Sequence, residues 1–276
     1  MQQLIRRGRR SGCAAVLALE VFVSTALAQA PAMDRDCLAE AAETRVAAVI
    51  DARSVKLEDG RVLRLAGIET FALLLDSGDD AEATLRGRLE TMLARAPLRV
   101  VLLTGRPDRH GRLSALVAAA DGALVQEVLA REGLALAVAA GDPLPCFARF
   151  LSAENSARRA GRGFWAGTEL PEARPDALKP RIGRFAIFEG APISVGNRPT
   201  RTYLNFGTWW SEDVTVEIPA RDRALFGGEA ALAQLAGRRL RIRGFVEDKG
   251  GPMVVIRSPM QMETLGAAAA IAGETP

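Results

Sequence analysis

Histidine is nearly absent from the 276-residue chain, and aromatic residues make up only 5% of it. His110 is the one histidine, so a histidine-based metal site or a catalytic histidine pair is not expected. Zinc is not expected either, because the spacing of the cysteines does not suit it and no histidine lies near them. The low aromatic content does not indicate any function by itself.

The sequence also lacks a long uninterrupted apolar run. Its longest apolar stretch, residues 13–27, is interrupted by Glu20 and is too short for a comfortable membrane span. Arg6, Arg7, Arg9 and Arg10 precede it, and Ala26-Leu27-Ala28 offers a small-x-small cleavage site. This pattern predicts a signal peptide over residues 1–28 and a periplasmic or secreted protein without a transmembrane segment in the mature chain. An uncleaved anchor is the alternative.

The positive net charge belongs to this leader. The chain has 36 Lys and Arg against 33 Asp and Glu, and residues 1–28 carry four of the Arg and one of the Glu. The remaining chain is therefore close to neutral, and its charge does not argue for nucleic acid. Two cysteines remain after the leader, Cys37 and Cys146. An even pair in an exported chain predicts a disulfide, with two buried free thiols as the alternative.

The pattern of strands and helices predicts two β-rich domains, over residues 34–168 and 181–265. Alternating strands, helices near residues 81–94 and 145–160, and a closing Gly163-Phe164-Trp165 are typical of an OB-type barrel with packed helices. Prolines between residues 169 and 180 indicate a linker. Five short strands and one helix predict a second, smaller OB-like β domain, and residues 266–276 are expected to form a flexible tail.

Three stretches of the first domain carry a resemblance to a known family. They are the meander around Asp51 with Arg64-Leu65-Ala66-Gly67-Ile68, the run from Asp108 to Leu113, and the closing Gly163-Phe164-Trp165. In this order they resemble the staphylococcal nuclease (thermonuclease) domain. Exported bacterial members with an extra C-terminal domain also resemble this chain in their cysteine positions and in a Tyr-Leu-Asn-Phe-Gly motif.

The resemblance implies a calcium-dependent hydrolysis of DNA and RNA phosphodiesters. That chemistry needs carboxylates for the hard cation, a Glu for the attacking water, and two arginines for the phosphate. Arg64 and Arg112 match the two arginines. Asp51 and Glu69 match two of the calcium ligands, and His110 stands, after Arg109, where the best-known member has a Tyr near the phosphate.

Two positions depart from the family pattern. Arg53 stands where the family has a second acidic ligand, and Ala72 stands where it has the catalytic Glu. A guanidinium there repels a divalent cation, and Arg53 is expected to form an ion pair with Glu69 or Asp51. The sequence therefore indicates an exported protein with a degenerate site. It would bind phosphate, nucleotides, or single-stranded DNA or RNA with little or no hydrolysis, and no cofactor is expected.

Other interpretations remain open at this point. The chain is an active nuclease, with Ca²⁺ as cofactor, if Asp76, Asp79 or Asp80 replaces the missing carboxylate. It is instead an interaction scaffold with an envelope protein partner if it neither cleaves nor binds nucleic acid. Arg64 and Arg112 are alternatively strand arginines that pair with Glu69 and Asp108.

The second domain adds two features of uncertain role. Trp209 and Trp210 are adjacent. Packing of both on the barrel or the domain interface is favoured, and stacking of a base or sugar ring beside Tyr203 and Arg201 is the alternative. The basic strand with Arg238, Arg239, Arg241 and Arg243 is expected to be a solvated face.

Overall fold

The computed structural model describes residues 37–75, 78–93, 97–138, 144–209 and 212–267. The predicted signal peptide, Asp76, Trp210 and most of the predicted tail lie outside these residues. The described residues all belong to one compact unit. No helix among them is long and apolar enough to cross a membrane.

The first lobe is a curled six-stranded sheet. Its strands run in the order β1-β6-β7-β4-β3-β2, with β4 and β7 parallel. They are β1 (Ala42–Thr44), β2 (Val46–Asp51), β3 (Ser54–Leu57), β4 (Val62–Leu65), β6 (Leu98–Leu102) and β7 (Arg112–Ala118). A separate pair joins β5 (Ile68–Thr70) to β8 (Ala135–Ala137). The predicted turn at Gly60 has a φ of +87°, which glycine adopts without strain.

Three helices cover this sheet: α1 (Gly78–Leu93), α2 (Val125–Arg131) and α3 (Phe147–Arg159). Leu85, Leu89 and Leu93 of α1 are buried in the barrel core, as their spacing on one helix face predicts. The helix begins at Gly78, three residues before the predicted start. Short 3-10 helices follow β5, at Phe71–Leu73, and close the lobe, at Gly163–Trp165.

The second lobe is a small barrel of OB topology. Its strands are β9 (Phe185–Gly190), β10 (Ser194–Arg198), β11 (Arg201–Asn205), β12 (Thr215–Pro219), β13 (Arg238–Asp248) and β14 (Pro252–Val255), and β15 (Met262–Ala267) is added at one edge. Strand β9 pairs with β13 while its continuation β10 pairs with β11, and β12 runs parallel to β14. These pairings close the sheet. The 3-10 helix Ala220–Phe226 and α5 (Gly228–Ala233) precede β13. The mainly β fold, with a nuclease-like OB barrel followed by a smaller OB-like domain, is confirmed.

The two lobes share a core. Phe71 and Trp165 of the first lobe lie in one buried cluster with Phe185 and Ile187 of the second, and the Phe71 and Trp165 rings meet edge to face at 5.0 Å. The stretch expected to be a linker is hydrogen-bonded to β9, through the Ala173 amide on the Glu189 carbonyl at 2.7 Å. It also contains the short helix α4 (Pro175–Leu178).

A layer of charged residues, buried at its centre and exposed at its edge, lies beside this shared core. It contains four arginines and four glutamates, namely Arg158, Arg239, Arg241, Arg243, Glu154, Glu172, Glu189 and Glu263. The side chains of Arg241 and Arg243 are only 3% and 1% exposed. The prediction that this basic strand is a solvated face is therefore wrong for these two residues, because α3 of the first lobe covers them.

The predicted disulfide is present. Cys37 and Cys146 are bonded, with their Cα atoms 6.0 Å apart. The bond joins the segment before β1 to the N-terminus of α3, where Cys146 is buried beside Phe147 and Phe150.

Candidate functional site

One carboxylate holds two arginines at the end of the first barrel. Arg53 lies in the turn between β2 and β3, Arg64 on β4, and Glu69 on β5. The Arg53 Nη1 contacts Glu69 Oε2, and the Arg64 Nη2 contacts Glu69 Oε1 at 2.5 Å. The expected ion pair between Arg53 and an acid is thus present. Both oxygens of Glu69 are engaged by guanidinium groups.

The carboxylate of Asp51 accepts a hydrogen bond within the same turn. Its Oδ1 accepts a hydrogen bond from the Arg53 backbone amide at 2.8 Å. Such an Asx contact fixes a tight turn. Here it holds the backbone from which Arg53 reaches Glu69, while the Arg53 carbonyl accepts the Leu65 amide at 2.8 Å.

These residues do not fit the Ca²⁺ that the family resemblance implies. Calcium takes six to eight oxygen ligands, and a guanidinium supplies none while adding a permanent positive charge. Glu69 gives its oxygens to Arg53 and Arg64 instead. Within the described part of the chain, no group of three or more Asp, Glu, His or Cys is arranged to hold a metal ion.

The structure also places Ala72, which stands where the family has its general base. Ala72 lies in the 3-10 helix after β5, and a methyl group cannot accept a proton. Asp80, one suggested replacement, is an exposed residue inside α1. Because α1 starts at Gly78, Asp79 is also within the helix, and its side chain lies outside the described residues, as does all of Asp76.

A third arginine, Arg112, is held by a carboxylate-centred turn before β7. Asp108 Oδ1 accepts the amides of His110 and Arg112 at 2.8 and 3.0 Å, and its Oδ2 accepts Arg112 Nε at 2.9 Å. Gly111 supplies a φ of +75°. His110 Nε2 accepts a hydrogen bond from Arg109 Nε at 3.0 Å, and both residues are exposed. The pairing of Arg64 with Glu69 and of Arg112 with Asp108 is therefore real.

The hydrogen bonds to Asp108 lower the pKa of its carboxyl to about 2, chiefly through the Arg112 amide. Because the folded pKa is below the unfolded value of 3.8, the stability that Asp108 contributes is complete above about pH 4 and is lost as the pH falls towards 2. We expect an NMR titration of the Asp108 carboxyl to have its midpoint near pH 2. In an Arg112→Met variant the midpoint should rise but stay below 3.8, because the backbone amides remain. A midpoint at 3.8 or above in the natural chain would contradict the turn geometry.

The two arginines lie on the same face of the sheet. Arg64 is the register partner of Ser114, and Arg112 is the partner of Val62 in the same parallel ladder. Residues two apart on a strand point to the same side, so Arg112 and Ser114 share the face of Arg64. A cavity of about 370 Å³ opens beside Arg64, Glu69 and Ser114. Arg112 does not line it, and neither do Arg109 and His110 in the preceding turn.

Sequence analysis gave no role in the site to two residues that line this cavity, Ser114 and Gly67. Ser114 lies two residues after Arg112 on the same predicted strand, and this spacing could have placed both side chains on one face. Gly67 has a φ of +76°, and a Cβ there would lie 2.3 Å from Leu144 Cδ2. The turn after β4 can therefore pack against the start of α3 only with glycine at this position.

A curled OB-type barrel with covering helices and two arginines on one face defines the nuclease-like class of OB-fold proteins. Residues 77–167 match the family model of staphylococcal nuclease homologues, so the chain contains a staphylococcal nuclease-like domain. The matched residues include Asp108 and Arg112 but not the meander with Arg53, Arg64 and Glu69. A comparison with curated proteins gives no match.

Proposed function

We propose that the nuclease-like lobe is a phosphate- or nucleic-acid-binding module of an exported protein, with little or no hydrolysis. One observation carries the proposal: Arg53 is bound to Glu69, and Glu69 also binds Arg64. The family resemblance implies a calcium ligand at the position of Arg53. The cluster of Arg53, Arg64 and Glu69 has one positive charge more than it has negative. It favours an anion over a divalent cation.

Arg64 retains donors for such an anion. Only its Nη2 engages Glu69, and a guanidinium has five N–H groups. Its side chain is 33% exposed beside the cavity, and Arg112 shares its face. A phosphate here competes with Glu69 and Asp108 for these groups. We therefore expect weak binding that depends strongly on salt.

Hydrolysis would lack two of its components. Loss of a general base costs about 10²–10⁴ in rate, and Ala72 provides none. Without a metal, charge that develops on the phosphate and the leaving oxygen is stabilised less well. Binding without turnover is what the remaining residues support.

The experiment compares the natural mature chain with the double variant Arg53→Asp/Ala72→Glu. We expect the natural chain to leave single-stranded DNA uncut with or without Ca²⁺, and the double variant to cut it in Ca²⁺ but not in chelator. Cleavage by the natural chain that chelator stops would overturn the proposal and point to Asp76, Asp79 or Asp80.

Binding is tested separately, with fluorescence anisotropy of a labelled oligothymidine. Arg64→Ala and Arg112→Ala should each weaken binding and reduce the slope of log K against log salt by about 0.7. Arg61→Ala is the matched control, because Arg61 is an exposed arginine on the same hairpin that pairs with Asp59. If the natural chain binds and neither site variant changes that binding, Arg64 and Arg112 do not carry it and the proposal for this lobe is wrong. No binding of the oligothymidine by the natural chain would favour the scaffold interpretation instead.

Export is part of the same proposal. The cationic, apolar and small-residue pattern of residues 1–28 supports it, and so does the Cys37–Cys146 bond, since disulfides persist mainly outside the cytosol. Mass spectrometry of the protein made in a bacterium should find a mature N-terminus after Ala28 or Ala30. An intact Met1 in the purified protein would contradict cleavage.

A further inference from the structure

A cavity of the second lobe lies on the outer face of its barrel. It measures about 730 Å³ and is lined by residues of β10, β11 and β12 and of the β13–β14 turn. It is separate from the cavity beside Arg64. None of the residues that line it belongs to the candidate site of the first lobe.

Three rungs of paired residues form the floor of this cavity. Ser194, Asn205 and Thr215 make one rung, Gly196, Tyr203 and Glu217 the next, and Arg198, Arg201 and Pro219 the third. The floor from Arg201 to Asn205 spans five residues, about 13 Å at strand spacing.

The central rung has room for a flat ring beside Tyr203. Tyr203 stands between Gly196 and Glu217. A Cβ added at Gly196 would meet no atom within 4 Å, so the space beside the Tyr203 ring is open on that side. An aromatic face next to an open, side-chain-free position can stack a base.

The charges at the two ends of the cavity favour an anion. Arg198 lies at one end and Lys249 at the other, and both are exposed. Of the two acids of the lining, Glu217 accepts Arg201 Nη1 at 3.0 Å, while Asp213 accepts the Trp209 amide at 2.6 Å and keeps its negative charge. The lining therefore has three cations against two acids. The contact of Lys249 with Glu247 is long, at 3.8 Å, and exposed, so it compensates little of the lysine charge.

An exposed tryptophan follows directly on this lining. Thr208 lines the cavity, and the next residue, Trp209, is 72% exposed. The expectation that both tryptophans pack on the barrel is therefore wrong for Trp209. A large exposed aromatic at the rim of a cationic groove provides a second stacking surface.

We propose that this face binds a short segment of single-stranded nucleic acid, with a base stacked on Tyr203 over Gly196 and phosphates near Arg198 and Lys249. The site goes beyond the proposed function of the first lobe and does not depend on it. It would give the protein a second nucleic-acid contact, on its C-terminal domain.

The test measures binding of a labelled oligothymidine to the full mature chain that already carries Arg64→Ala and Arg112→Ala. Gly196→Leu fills the open space and should weaken the remaining binding at least about fivefold, as should Tyr203→Leu through lost stacking. Gly87→Leu is the matched control, since Gly87 is an exposed glycine of α1 whose added Cβ also meets nothing. Thermal unfolding of each variant shows whether it folds.

Two results would overturn the proposal. One is that the parent chain with Arg64→Ala and Arg112→Ala does not bind the oligothymidine at all, or that folded Gly196→Leu binds it as tightly as Gly87→Leu does. The other is binding of a neutral oligosaccharide such as chitotetraose, blocked by Gly196→Leu, where oligothymidine does not bind. Because the first-lobe arginines are absent from this background, failure here leaves the proposed function of that lobe untouched.

Discussion

Replacing Arg243 by Met is expected to lower the free energy of unfolding by about 3–5 kcal/mol, because it leaves buried carboxylates without their cation. Arg243 Nη2 contacts Glu154 at 3.0 Å and Glu263 at 2.6 Å, and its Nη1 donates to the Ala137 carbonyl at 2.5 Å. Burial by itself would lower the pKa of Arg243, but Glu154 and Glu263 outweigh it and raise the pKa.

The effect should reach both lobes. Ala137 belongs to β8, which pairs with β5, and β5 contains Glu69 of the candidate site. Glu154 Oε2 also accepts the Ala137 amide at 2.6 Å. One arginine of the second lobe therefore fixes a strand and a helix of the first. We expect a single unfolding transition in the natural chain, with a melting temperature about 10 °C lower in Arg243→Met.

The matched control is Arg238→Met, on the same strand, where the side chain is exposed and donates to the Gln234 carbonyl. It should change stability by less than about 0.5 kcal/mol. Adding Glu154→Gln and Glu263→Gln to Arg243→Met should restore part of the loss, because it removes the unpaired charges. An Arg243→Met variant as stable as Arg238→Met would show that the charge layer does not hold the lobes together.

Removing the Cys37–Cys146 bond is the second large effect. The cysteines are 109 residues apart, and a loop of that length corresponds to about 4–5 kcal/mol in the chain-entropy model. The double variant Cys37→Ala/Cys146→Ala should therefore unfold at a clearly lower denaturant concentration. Alanine is the suitable replacement, since Cys146 is buried among Phe147, Phe150 and Leu116 and a hydroxyl there would lack a partner.

Reduction gives the matched comparison for this experiment. In dithiothreitol, the natural chain should unfold at the same denaturant concentration as the double variant. Dithiothreitol should not change the denaturant concentration at which the double variant unfolds. Thiol labelling of the unfolded mature chain, from which Cys13 is removed with residues 1–28, should find no free cysteine without reductant. Two free thiols, with equal stability of the natural and variant chains, would support the alternative of buried unbonded cysteines.

The local elements follow from the sequence by itself. The strand alternation, the turn at Gly60 and the buried face of α1 at Leu85, Leu89 and Leu93 depend on spacing within a few residues. The Arg53–Glu69 pair was also predictable, because the family resemblance places both residues at one end of the barrel. The residue types at these two positions determine their charges, and opposite charges favour an ion pair.

The tertiary structure decided which of the remaining charged and aromatic residues are buried and which are open. Arg243 has the sequence context of a solvated strand, yet its partner Glu154 lies 89 residues away on α3, and only the packing of the two lobes buries both. Trp209, in contrast, is exposed although its residue type favours burial. Contacts between distant segments decide such cases, because strand periodicity defines two faces but does not say what covers either one.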